Sequence, residues 1–96
     1  MQKQQYLELL KPIVAEYRQK PYAFWRQQIG GEPIITEVTA GDGRACQVEI
    51  DAMWDHQPNA NVRVFVMIDD GGWRAFCPVS DDFVVAPDGS FVGEED

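Results

Sequence analysis

Residues 44–54 read RACQVEIDAMW, and the apolar side chains Cys46, Val48, Ile50, Ala52 and Trp54 occupy every second position. Gln47, Glu49, Asp51 and Met53 fill the places between them. A period of two sustained over this length marks a β-strand with one face buried. Residues 62–68, VRVFVMI, repeat the pattern with Val62, Val64, Val66 and Ile68 on one side. Upstream, Ile34, Thr36 and Val38 alternate with Ile35, Glu37 and Thr39, and Ala40-Gly41-Asp42-Gly43 supplies the glycines of a turn. Downstream, Asp69-Asp70-Gly71-Gly72 reads as a tight hairpin turn into a fourth strand carrying Trp73, Ala75 and Cys77. Phe83 to Ala86 reads as a short fifth strand and Pro87-Asp88-Gly89-Ser90 as a further turn. Phe91-Val92 pairs briefly, and residues 93–96 fray as an acidic tail.

Ahead of this alternating region the period changes. Tyr6, Leu9, Leu10, Ile13, Val14 and Tyr17 follow helical spacing, with Lys3, Glu8, Lys11, Glu16, Arg18 and Gln19 off the stripe. Pro12 falls inside it and predicts either a kink or a main helix starting near that residue. Pro21 opens a second helical segment running to Gln28, and Gly30-Gly31 ends it. The expectation is one α+β domain over residues 1–96: a helical part over 1–30 packed on one face of a four- to five-stranded antiparallel meander over 34–92.

Composition agrees with a small globular chain. Its 96 residues are 45% apolar and 25% charged, with a formal net charge of −8. That charge is unevenly placed. Residues 1–30 hold Lys3, Lys11, Arg18, Lys20 and Arg26 against Glu8 and Glu16, a balance of +3. Residues 31–96 hold 14 acids against Arg44, Arg63 and Arg74, a balance of −11. Such a field repels phosphate backbones and anionic lipid, so neither nucleic acid nor membrane is an expected partner, whereas a basic protein surface is. Cys46 and Cys77 make no disulfide framework, which fits a reducing cytoplasmic setting.

If the valines face the helices, the pleat fixes what the other face carries: Glu49, Asp51 and Met53 on one strand, Arg63, Phe65, Met67 and Asp69 on the next, and Arg74 and Phe76 on the one after. Phe65, Met67, Phe76 and Met53 then form an apolar centre with a charged rim of Glu49, Asp51, Arg63, Asp69 and Arg74. This is the make-up of a protein interface. The competing expectation is that residues 81–92 fold back over this face and bury it. The function that follows is a non-enzymatic interaction module, without a cofactor, binding a basic protein partner or pairing with itself as a homodimer. Neutralisation of a basic toxin, in the manner of an immunity protein or antitoxin, is one specific form.

Signals for chemistry are sparse. His56 is the only histidine, and its neighbour Asp55 is the one group placed to orient it as a general base. Asp69, Asp70, Asp81 and Asp82 form two acidic pairs that are weak candidates for a divalent cation, since neither matches an EF-hand loop. The alternative function is therefore a small-ligand or cation-binding domain with hydrolytic activity around Asp55, His56, Asp69 and Asp70. No Walker loop, G-x-G-x-x-G or G-x-S-x-G occurs.

Overall fold

The computed structural model describes residues 3–41, 43–69 and 79–94. Two helices, α1 (Lys3–Tyr17) and α2 (Tyr22–Gln28), precede four strands, β1 (Ile34–Thr39), β2 (Ala45–Trp54), β3 (Val62–Asp69) and β4 (Val79–Val85). The strands form one antiparallel sheet in the order β1-β2-β3-β4. Both helices pack on the same face, α1 across β3 and β4 and α2 across β2 and β3. The α+β architecture expected from the change of period is therefore the one observed.

The sequence stripe becomes the buried side of α1. Tyr6, Leu10, Ile13 and Val14 are buried, and Leu9 and Tyr17 pack against the same core. Pro12 stands within α1, which runs on through it as one helix, so the break falls between Tyr17 and Tyr22 and not at the proline. Pro12 is exposed, and the carbonyl of Glu8 that loses its helical partner lies on the same solvent side. Water can satisfy that carbonyl, but an interior proline still costs a helix about 3 kcal/mol relative to alanine. Pro12→Ala is accordingly expected to stabilise the fold by roughly 1–3 kcal/mol, read from the midpoint of urea unfolding at an unchanged slope. Equal midpoints for the two proteins would show that the helix has already absorbed the proline.

The core lies between the helices and the sheet. Cys46, Val48, Ile50 and Ala52 of β2 and Val62, Val64, Val66 and Ile68 of β3 are all buried, as alternation requires. Trp25 of α2 is fully buried at the centre of an aromatic group. Its ring lies 4.9 Å from Phe24 and 6.0 Å from both Tyr17 and Phe83, and Phe83 in turn meets Phe91 at 5.9 Å. The indole Nε1 of Trp25 is buried without a hydrogen-bond partner. Tyr22 ties α2 to the β2–β3 loop by donating its hydroxyl to the Ala60 carbonyl at 2.6 Å. Trp54, expected in the core, is half-buried against it.

Two turns are built alike. Ala40 N–H donates to the Arg44 carbonyl and Gly43 N–H to Ala40, just as Ala86 N–H donates to Ser90 and Gly89 N–H to Ala86. Gly43 and Gly89 take φ of +87° and +88°, the left-handed residue that closes a three-residue hairpin loop.

The C-terminal part differs from expectation. The short fifth strand placed at Phe83 to Ala86 is instead β4, which starts at Val79. The strand expected over Trp73 to Cys77, and the turn leading into it, lie outside the described residues. After the Ala86–Ser90 turn the chain rejoins the sheet: Phe91 bridges Val85, and Val92 N–H donates to the Val84 carbonyl at 2.9 Å. Residues 81–92 thus extend the sheet sideways and do not fold back over its outer face. At Glu94, where fraying is expected, the carboxylate accepts from both terminal nitrogens of Arg18, one at 2.8 Å. The same guanidinium stacks 3.9 Å from the centre of the Phe91 ring.

The hydrogen bonds from Arg18 hold the Glu94 carboxyl below its ordinary range. A carboxylate whose folded value is depressed favours the fold above its unfolded value, and that contribution is lost as the pH falls through the folded one. Glu94→Gln should therefore lower the melting temperature slightly at neutral pH, with the gap to wild type closing as the medium is taken down through the carboxylate range. A gap that persists unchanged in acid would assign the effect to something other than this ion pair.

Candidate interaction surface

Register decides which side chains share the outer face. In the β2–β3 pair, Asp51 stands opposite Phe65, Glu49 opposite Met67, Met53 opposite Arg63 and Gln47 opposite Asp69. On the flanks, Ile35 of β1 stands opposite Glu49 and Glu37 opposite Gln47, while Asp82 of β4 stands opposite Phe65 and Ser80 opposite Met67. Rows therefore run across the sheet as Asp51, Phe65, Asp82 and as Ile35, Glu49, Met67, Ser80. Phe65 has a carboxylate as cross-strand neighbour on both sides, and Met67 has one, Glu49.

Phe65 and Met67 are half-buried. Among the described residues the large hydrophobics with high exposure are Ile35 at 51%, Met53 at 52% and Val92 at 43%. Ile35 and Met53 are on the outer face by register. Val92 joins them because it lies opposite Val84, which in turn lies opposite Arg63. All three exposed apolar side chains thus gather on one side of the molecule, the side away from the helices.

The charge on this side is predominantly negative. Glu37, Glu49, Asp51, Asp69 and Asp82 accompany a single described cation, Arg63. Arg63 is already committed. It donates Nε to the Asp55 carboxylate at 3.1 Å and binds Asp82 through a terminal nitrogen. Those two carboxylates, Asp55 foremost, push its basicity further up. The Asp51 carboxylate accepts the Ala52 N–H at 2.8 Å. Glu37 and Glu49 make no ion pair among the described residues. The outer face is accordingly an apolar strip carrying a net negative field.

The expected site residues Phe65, Met67, Met53, Arg63, Glu49 and Asp51 are brought onto this face together, while Phe76 and Arg74 lie outside the described residues. Alternation alone did not bring in Ile35, Glu37, Asp82 and Val92. The signal for Ile35 and Glu37 was present in their strand, but their place in the rows depends on pairing with β2. Asp82 was hidden because Asp81, an exposed charge at an inward position of β4, interrupts the apolar alternation from Val79 to Phe83 and Val85.

The residues of the catalytic and cation alternatives are arranged differently. His56 has an 87% exposed side chain, and its Nε2 stands 3.9 Å from Asp55 Oδ1, beyond hydrogen-bond reach. That carboxylate oxygen is taken up by Arg63. Asp81 and Asp82 are successive residues of a strand and point to opposite faces of the sheet. Asp69 lies on the outer face opposite Gln47, and Asp70 lies outside the described residues. Among the described residues no three histidine, cysteine or acidic side chains are gathered as a metal site would need. Cys46 is buried in the core, and Cys77 lies outside the described residues. Among the described residues no helix is long and apolar enough to cross a membrane. No family model matches the chain, and no curated protein or solved structure matches it.

Proposed function

We propose that this protein is an interaction module whose outer sheet face binds a basic, partly apolar surface on a protein partner. The observation that carries this is the cross-strand order of the face, with Phe65 and Met67 set among Glu49, Asp51 and Asp82 and flanked by exposed Ile35 and Met53. The two components do different work. Carboxylates of one sign steer a cationic surface into register and speed encounter, an effect that salt screens over a Debye length of ~8 Å. Apolar side chains at the centre exclude water once contact is made and so slow departure.

Self-pairing through the same face is disfavoured by the same charges. A two-fold axis through it brings two copies of the same net negative face together, and the guanidinium of Arg63 is already held by Asp55 and Asp82. A basic partner meets no such penalty. Neutralising a basic enzyme by covering its cationic surface is one biological form of this binding.

The test is affinity capture from native lysate at low and high salt, with wild type beside Phe65→Asp, followed by titration of the purified partner. A basic protein retained by wild type, released by salt and lost at least about tenfold in affinity from Phe65→Asp supports the assignment. Full-strength capture by a folded Phe65→Asp overturns it. Should that variant unfold by circular dichroism, Met53→Asp at an exposed position of the same face replaces it.

A further inference from the structure

We propose that the open edge of β1 receives an extended segment of the partner as an added strand, in which basic and apolar side chains alternate. This rests on the acidic-face reading above and specifies how the partner docks.

The phase of the β1–β2 ladder comes first. Ala40 N–H donates to the Arg44 carbonyl at 2.8 Å, which makes that pair a hydrogen-bonded one. Antiparallel pairs alternate, so Val38, Thr36 and Ile34 turn their backbone groups toward β2, while Thr39, Glu37 and Ile35 turn theirs away from it. Among the described residues β2 is the one strand beside β1. A row of donors and acceptors thus lines the outer side of a strand rich in β-branched residues, without a proline and with Glu37 as its one charge.

The opposite edge of the sheet is protected in two ways that β1 lacks. Phe91 and Val92 pair with the end of β4, and Asp81 places a charge on its inward side. Inward charges and covered ends are how edge strands avoid taking up another chain. Among the described residues β1 has neither device.

The two sides of the β1 edge ask for different side chains. On the helix side, Ile34 and Val38 are half-buried, because α1 and α2 lie over β2, β3 and β4. Apolar side chains of an added strand would extend this layer. On the outer side, Glu37 is exposed and Glu49 stands one strand further in, opposite Ile35. A lysine or arginine placed opposite Ile35 lies diagonal to Glu37 and reaches toward Glu49. Period two in the ligand therefore follows from the two faces of the edge. Charge selects this occupant over a second copy, since pairing β1 with β1 joins two chains of net charge −8 and brings Glu37 near its mate.

The experiment titrates a labelled peptide of alternating lysine and valine into the full chain by fluorescence anisotropy, beside a peptide of the same composition with its lysines and valines in separate blocks. Glu37→Pro removes one outward N–H and leaves the β1–β2 hydrogen bonds intact. Glu37→Gln removes the charge alone. The alternating peptide should bind roughly tenfold tighter than the blocked one, and Glu37→Pro should weaken it about tenfold beyond Glu37→Gln. If circular dichroism shows Glu37→Pro unfolded, Thr39→Pro, at the next outward position, serves in its place.

Equal affinity for the two peptides, no measurable binding of the alternating one, or identical behaviour of the proline and glutamine variants overturns strand addition. Loss of partner capture by Phe65→Asp would in that case leave the acidic-face reading standing. Partner capture unaffected by Phe65→Asp would overturn that reading by itself. A dimer in light scattering that Glu37→Pro dissolves would assign the edge to a second copy, and would likewise overturn the proposal.

Discussion

Trp25→Ala is expected to destabilise the protein by about 3–5 kcal/mol, enough to unfold a large fraction of a domain of this size at room temperature. The side chain is fully buried and joins both helices to the sheet, touching Tyr17 of α1, Phe24 of its own helix and Phe83 of β4. Truncation removes the transfer energy of a large aromatic and leaves a cavity bounded by rigid strands that cannot collapse to fill it. Trp25→Phe makes the informative control. The orphaned Nε1 costs the native fold part of what the ring contributes, because a buried donor without a partner forgoes its hydrogen bonds to water. Phenylalanine removes that donor and keeps most of the aromatic contact, so its loss should be well under half that of alanine. Chemical denaturation of the two variants checks both numbers. A phenylalanine variant as unstable as the alanine one would mean that the indole is held by its full volume and that its unpaired N–H is of little consequence.

The double change Glu49→Lys with Asp51→Lys should reduce affinity for the captured basic partner by at least about a hundredfold, with most of the salt dependence lost. Each reversal withdraws an attraction and installs a repulsion in the middle of the face, next to Met67 and Phe65 respectively. The fold itself should not suffer. Glu37 stands diagonal to Glu49 across the β1–β2 pair, and reversing Glu49 turns that repulsion into attraction. An unchanged or raised melting temperature together with lost binding separates recognition from stability, which titration calorimetry and a thermal scan of the same sample can read. Binding at wild-type strength would remove the acidic face from the partner's site.

The parts of the fold legible in the sequence were those governed by local periodicity. The stripe from Tyr6 to Tyr17 gave α1 and its buried side, and the alternation through β2 and β3 gave both strands and their faces. The Ala40–Gly43 turn was readable because a left-handed residue was needed at Gly43 and glycine stood there. Of the two readings Pro12 allowed, a kink or a main helix starting near it, the second is excluded because α1 begins at Lys3 and runs through the proline. An exposed proline can be carried by a helix whose opposite side is anchored by Leu10, Ile13 and Val14.

β4 was harder for a related reason. An edge strand tolerates a charge at an inward place, so Asp81 made a seven-residue strand look like a shorter one starting at Phe83. The site followed the same rule. Alternation assigned Phe65, Met67, Glu49 and Asp51 to one face, since each strand needs only its own pleat for that. Rows such as Asp51, Phe65, Asp82 depend on which residues of three strands stand level. That is a property of pairing between segments far apart in the chain, and no window of sequence contains it.

The meander also bears on how the chain reaches this state. Every hydrogen-bonded strand pair joins segments that follow one another in sequence, so the sheet can grow by closing short loops one after another, each at modest entropic cost. The bond between Arg18 and Glu94 belongs to another class, because it joins residues 76 positions apart. It gains its geometry only after α1 has settled on β4 and Phe91 has reached the sheet. A contact made that late acts on the unfolding rate more than on the folding rate, and for an exposed ion pair the effect is small, so Glu94→Gln is expected to speed opening slightly and leave the folding rate unchanged.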